Sequence, residues 1–267
     1  MSGFLGYSAQ AYYKSLQSAI AASVREEMVL ELVHEVRRQM PRIGTRKLLE
    51  LLKEDLDQFE KSVGRDKLFD MLRKHGMLIR PRRRWTRTTN SYHRFHTYKN
   101  KLKDKWLSGP NQAWVSDITY IRQRDGFSYL FLITDAYSRK IVGWELSESL
   151  GIEGAVKALK MAFNQSGGQK GVIHHSDRGI QYCCKEYVDL MKKVEMEISM
   201  TEENHCYENA IAERVNGILK DEFLLGETWN SFESALKATR EAIRTYNGLR
   251  PHLSLQLSTP DQIHLAA

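Results

Sequence analysis

The sequence predicts a mixed α/β fold: a five-stranded sheet with helices on both faces, preceded by a small all-α, helix-turn-helix-like domain. Three observations carry that expectation. Apolar positions recur with helical period across residues 25–76, strand-like segments start abruptly at Trp114, and from Ile152 onward helical and strand-like segments alternate before the chain ends in helices. The 267 residues, 42% apolar and 10% aromatic, are enough for a real core and exclude a chain disordered throughout.

Taken in order, residues 25–39 (REEMVLELVHEVRRQ) place Met28, Val29, Leu32, Val33 and Val36 on one side of a helix ended by Pro41. Thr45 is expected to cap a second helix, RKLLELLKEDL, and GRDKLFDMLRKHG to form a third that stops at Gly76. From Trp114 three strands follow as a meander: AWVSDITYI, a turn at Asp125-Gly126, SYLFLITDAYS, and KIVGWELS. A helix over IEGAVKALKMAFNQ is broken by Gly167-Gly168, and GVIHHSD supplies a fourth strand. Helix KEYVDLMKKV, strand MEISM, a polar loop and two long helices, from Ala210 to about Leu225 and from about Ser231 to Tyr246, complete the chain. With this order the first and fourth strands run parallel and adjacent.

Charge is unevenly spread. Residues 1–110 hold 23 Lys and Arg against 12 Asp and Glu, whereas residues 111–267 hold 17 against 21. Between Leu72 and Leu107 stand 12 basic residues and one acid, interleaved with Trp85, Tyr92, Phe95, Tyr98 and Trp106, the footprint of a segment lying on a polyanion. Mean hydropathy is -0.50 and no apolar run approaches the roughly 20 residues that cross a bilayer, so no membrane partner is expected. The opening residues lack a basic stretch followed by an apolar one, which leaves a cytoplasmic location as the expectation. Three cysteines, two of them adjacent, give neither a disulfide framework nor zinc-ligand spacing.

Three acids stand out. Asp117 interrupts an apolar strand, Asp177 ends the fourth strand, and Glu213 lies on a helix among Ile211, Ala212 and Val215. Taken singly, each fits an ordinary structural use: a strand-end acid, a turn acid, a helix-surface residue. Taken together, carboxylates that converge repel one another unless divalent cations lie between them, and an all-oxygen donor set suits Mg²⁺ or Mn²⁺. Two such ions activate a hydroxyl and stabilise the leaving oxygen in a phosphoryl displacement.

The segments around these acids resemble a known family. Trp114-Val115-Ser116-Asp117-Ile118-Thr119-Tyr120, His175-Ser176-Asp177-Arg178-Gly179-Ile180-Gln181-Tyr182, and Cys206-Tyr207-Glu208-Asn209-Ala210 leading to Glu213 and Lys220 are similar to the DDE integrase core of bacterial insertion-sequence transposases. The nearest group is the "IS three" family, in its second reading-frame product. The ending Tyr246-Asn247-Gly248-Leu249-Arg250-Pro251-His252 with Leu255, Thr259 and Pro260 resembles that family's tail, and Gly44-Thr45-Arg46-Lys47 its helix-turn-helix module. The resemblance implies an RNase H-like core over residues 109–267, a helical DNA-binding domain over 1–80 and a basic linker over 81–108. It implies Asp117, Asp177 and Glu213 as catalytic metal ligands for Mg²⁺ or Mn²⁺, two ions per site, with no other cofactor. The implied reaction is cleavage and strand transfer of DNA ends.

Other residues follow from this frame. Lys220 lies seven residues, two helical turns, after Glu213, so both face one side and the ammonium is placed for a DNA phosphate. Arg178, Arg82, Arg83, Arg84 and Arg87 are the further candidate DNA contacts. Partners implied are the element's terminal repeats and target DNA, a homo-oligomer assembled on DNA, and an upstream-frame protein, in the bacterial nucleoid. The alternatives are an inactive DNA-binding or regulatory protein and an RNase H-like nuclease. There are departures from the family pattern: Thr201-Glu202-Glu203-Asn204 stands where many relatives carry a basic stretch, Arg178 where glutamine is common, and no leucine-zipper heptad precedes the core. His174 is read as packing and His175 as a phosphate contact or a group that supports the metal ligands from behind, Asp135 as a turn acid pairing with Arg139, and Tyr246, Asn247, Arg250 and His252 as a structural cluster.

Overall fold

The structure, a computed structural model, describes residues 8–80, 96–202 and 209–266. The chain divides into two compact units, Met1–Pro81 and Arg82–Ala267.

The first unit is all helical. Helix α1 spans Ala9–Gln39 and opens at Ser8, whose Oγ accepts from the Ala11 N–H at 3.1 Å. It therefore begins sixteen residues before the stretch in which the apolar period is legible, because residues 9–24 contain no glycine or proline to interrupt it and are rich in alanine. Val29 and Val33 are its buried residues; Met28, expected beside them, is 51% exposed. The single helix expected after Thr45 is two, α2 (Thr45–Leu51) and α3 (Lys53–Asp57), broken where Leu52 leaves helical geometry. Gly44, not Thr45, holds the cap position. Helix α4 (Arg65–Lys74) ends at Gly76, which takes a φ of +65° that a side chain would resist. Val29, Val33, Ile43, Leu48, Leu56, Leu68 and Leu72 form the core of this unit.

The second unit is a five-stranded sheet in the order β3-β2-β1-β4-β5. Strands β1 (Ala113–Gln123), β2 (Gly126–Asp135) and β3 (Ile141–Ser147) form the antiparallel meander. Helix α5 (Ile152–Gln165) crosses to β4 (Ile173–Ser176), which pairs parallel with β1. The short α6 (Ile180–Cys183) and α7 (Lys185–Lys193) lead to β5 (Glu197–Met200), parallel to β4. Helices α8 (Ala210–Asp221), α9 (Phe232–Gly248) and α10 (Pro260–Leu265) close the unit; α6 and α10 carry too few turns to have shown a period in the sequence.

Both faces of the sheet are covered. On one, Trp114, Phe131 and Ile133 pack with Ala155, Ala158 and Leu159 of α5 and Tyr187, Val188 and Met191 of α7. Gly143 and Gly154 make this possible: a Cβ at the first would strike the Ala158 carbonyl, and at the second the Phe131 ring. On the other face Ala113, Val115 and Ile173 pack with Ala212 of α8. Among the described residues no helix is long and apolar enough to cross a membrane.

Candidate active site

Strand register brings the first two acids together. Ser116 of β1 is the parallel partner of Ser176 of β4, so Asp117, the next residue on β1, stands level with Asp177, the first residue past β4. Alternation turns Asp117 to the sheet face opposite Ser116. Asp117 Oδ1 accepts from the N–H of Ile118 at 3.0 Å, and Asp177 Oδ1 from the N–H of Gly179 at 3.0 Å, a tight turn that ends β4. Burial pushes the Asp117 carboxyl up to about 7, and the charge of Asp177 adds to that rise.

The third acid arrives on α8. Glu213 is exposed in the first turn of this helix, and its charge also raises the Asp117 pKa, by less than Asp177 does. Two asparagines bracket it. Asn209 Nδ2 donates to the Ser116 carbonyl at 3.0 Å, and Asn216 Nδ2 to Asp117 Oδ2 at 2.6 Å. The helix that bears Glu213 is thus tied at both ends of its first two turns to adjacent residues of β1. Both asparagines are buried, and among the described residues no donor reaches the Oδ1 of either. Asn216 escaped sequence reading, although it stands three residues after Glu213 and so on the same helical face.

Lys220 also enters this neighbourhood. Burial pushes its ammonium pKa down, and the nearby Asp117 charge opposes that shift. Arg178 Nε donates to the Thr201 carbonyl at 2.9 Å. Arg82, Arg83, Arg84 and Arg87 lie outside the described residues, as does Cys206.

The two histidines fall on opposite sides of the sheet. His174 Nε2 lies 2.8 Å from Ser116 Oγ and 3.0 Å from Tyr187 Oη, and burial holds the ring neutral, its pKa pushed down to about 3. His175 is fully buried, and its Nδ1 lies 2.9 Å from Ser199 Oγ. Asp135 is the turn acid expected: its carboxylate accepts from the N–H groups of Asn111, Tyr137 and Ser138 and from Ser138 Oγ, while the Arg139 guanidinium donates to the Ala136 carbonyl. Burial pushes the Arg139 pKa down, and the charges of Tyr246 and Asp135 oppose that shift. Burial pushes the Cys183 thiol up to about 11, which leaves it unreactive at neutral pH.

The tail motif serves the fold. Arg250 is 2% exposed and donates through Nε and Nη2 to Glu222 at 2.8 Å each, and Tyr246 Oη donates to the Arg139 carbonyl at 3.0 Å. Asn247 meets both the N–H and the carbonyl of Ile141 at 2.9 Å. His252 stacks edge-on against Tyr246 with ring centroids 5.2 Å apart.

Carboxylate oxygens are the donors a divalent hard cation takes, and a carboxyl whose ionisation is opposed by burial and by a neighbouring acid is one that a cation would relieve. By donor chemistry Asp117, Asp177 and Glu213 fit Mg²⁺ or Mn²⁺. Among the described residues, however, no group of three or more His, Cys, Asp or Glu stands close enough to hold a metal ion.

Comparison with known proteins agrees with this architecture. Residues 108–206 and 194–260 match two families described as Integrase core domain. The chain is 33% identical over 259 residues to the Insertion element IS600 uncharacterized 31 kDa protein of Shigella sonnei, covering 96% of this chain and 94% of that one. It is 34% identical over 193 residues to Transposase InsF for insertion sequence IS3A of Escherichia coli (strain K12), covering 72% of this chain and 67% of that one. Among solved structures, the simian T-cell lymphotropic virus intasome in complex with PP2A regulatory subunit B56 gamma aligns with a TM-score of 0.52 at 18% identity, over 83% of this chain and 70% of that chain, a likeness of fold. A parallel β1–β4 pair carrying two acids, a third acid on the helix packed over them, and these relatives together place the chain in the IS3 family of insertion-sequence transposases, with an integrase core of RNase H-like fold.

Proposed function

We propose that this protein is a metal-dependent DNA transposase, a polynucleotidyl transferase that cleaves insertion-sequence ends and joins them to target DNA. The observation that carries the reading is Asp117: a carboxyl on a central strand, held short of donors, with Asp177 and Glu213 raising its pKa. Asp117, Asp177 and Glu213 would hold Mg²⁺ or Mn²⁺, two ions per site. When bound, such ions activate the attacking oxygen and stabilise the leaving one.

The chain's own side chains do the rest. Asn209 and Asn216 hold α8, the helix that carries Glu213, against β1. Lys220, in the field of Asp117, binds a phosphate of the DNA strand and orients it. Arg178 extends that contact. Residues 1–80 form the domain that grips the element ends, and the basic linker 81–108, with Arg82, Arg83, Arg84 and Arg87, tracks the phosphate backbone up to the core at 109–267. Part of that linker is already engaged: Lys101 pairs with Glu197 at 3.0 Å and its N–H donates to Ser199 Oγ. Assembly on DNA as a homo-oligomer, cooperation with an upstream-frame protein, and a place in the bacterial nucleoid belong to the same reading.

A strand-transfer assay on labelled element ends tests it. Asp177→Asn should abolish joining while the protein still shifts the same DNA in a gel. Undiminished joining by that variant would remove Asp177 from the chemistry and sink the proposal.

A further inference from the structure

The amino-terminal half of α1 exposes large apolar side chains along a built helix. Tyr12, Tyr13, Leu16, Ile20 and Val24 are 57%, 63%, 45%, 57% and 51% exposed, and Met28 continues the row at 51%. At about 100° per residue the first five share one side of the helix, and Val29 and Val33, which enter the core of the first unit, lie roughly opposite. The segment is a defined helix and not a frayed end, since Ser8 caps it. Scattered exposed apolar residues need no explanation, but a contiguous row over four turns does.

Charge narrows what covers it. Residues 9–24 carry one charged side chain, Lys14, whereas residues 25–39 carry four glutamates and three arginines. A stretch with so little charge does not complement DNA, an anionic membrane surface or a strongly charged protein. A second copy of itself meets no repulsion, and alanines and serines between the large residues let two such helices approach closely. Area agrees. With an aromatic side chain burying roughly 150–250 Å² in full, the half-exposed row offers on the order of 500 Å² per helix, so that a pair reaches the ~1,000 Å² a specific interface needs.

We infer that the outward row on α1 is a self-association surface, through which two copies of this chain pair by a twofold contact in the absence of DNA. This goes beyond the transposase reading and does not depend on it. The pairing is helix to helix, with Leu16 and Ile20 at its centre.

Sedimentation of the full chain without DNA, over a range of micromolar concentrations, is the test. Wild-type protein should rise from the monomer mass of 31.0 kDa to twice that value. Leu16→Glu/Ile20→Glu should remain a monomer, with pairing weakened by at least about a hundredfold, and with unchanged helical circular dichroism, glutamate being a good helix former. Glu35→Lys, exposed on the other half of α1, should pair as wild type does. Amide exchange over residues 9–24 should slow as protein concentration rises. A wild-type chain that stays monomeric, or a double variant that pairs undiminished, would overturn the inference. Exchange protection independent of concentration would assign the row to the chain's own second unit and overturn it equally.

Discussion

Asp117 and Asp135 stand on neighbouring strands of one sheet, and the protein treats them in opposite ways. Asp135 is fully buried and receives three backbone N–H groups and a hydroxyl, all within 3.1 Å. Asp117 receives one backbone N–H and one asparagine amide, and faces two further acids. A carboxylate that serves a turn is saturated with donors, whereas one with fewer donors beside other carboxylates is one that a cation would relieve. Donor supply thus differs between the acid that closes a turn and the acid proposed as a metal ligand.

The comparison breaks or sharpens at definite points. The largest effect is expected at the undersupplied acid: Asp117→Asn should lower strand transfer on the order of 10³-fold while leaving the fold intact, measured as joined product per unit time. The saturated regions should respond in stability. Arg250→Ala removes the two hydrogen bonds that the buried guanidinium gives Glu222 and should cost about 3–5 kcal/mol in denaturant unfolding, and Asp135→Ala, which orphans four donors, should fall in the same class. Asn216→Ala lies between the two regions. It should cost roughly 10–100-fold in activity, with a raised divalent-metal requirement and little change in melting temperature, because it orients a ligand more than it holds the core. If Asn216→Ala unfolds the protein instead, the asparagine belongs with the structural set.

The smallest effect concerns pH. Because the folded-state pKa of Asp117 is raised from 3.8 to about 7, its protonated form favours the fold; that contribution is complete below pH 3.8 and is lost as pH rises through about 7. Metal-free wild type should therefore lose stability from pH 4 to pH 8 relative to Asp117→Asn. The variant should melt higher at pH 8 by roughly 2–4 °C, the shift that about 1 kcal/mol produces in a domain of this size. A variant that melts lower at pH 8 would mean that Asp117 stabilises the ionised fold, contrary to the contrast drawn with Asp135.

Much of this was legible in the sequence, for stated reasons. The meander and the parallel β1–β4 pair follow from turn residues and alternation, and that pairing by itself sets Asp117 beside Asp177. Helical period failed where a helix buries nothing: residues 9–24 of α1 have no core-facing row, so the pattern began at residue 25. It failed again at Met28, because an apolar residue at the edge of a stripe points to solvent as readily as to the core. Asn209 and Asn216 carried no signal as residue types, since an amide shows its use only when its partner is in place. Asp135 is legible as a turn acid beside Arg139, but the backbone N–H groups that saturate it are written nowhere in a sequence.

One side chain settles how this sheet can grow. Asn247 lends its amide to the outward N–H and carbonyl of Ile141 and so imitates another strand at the rim of β3. A neighbouring molecule that tried to add its own backbone there would find those groups already taken. Stacking of copies by edge-to-edge strand addition is closed at that point.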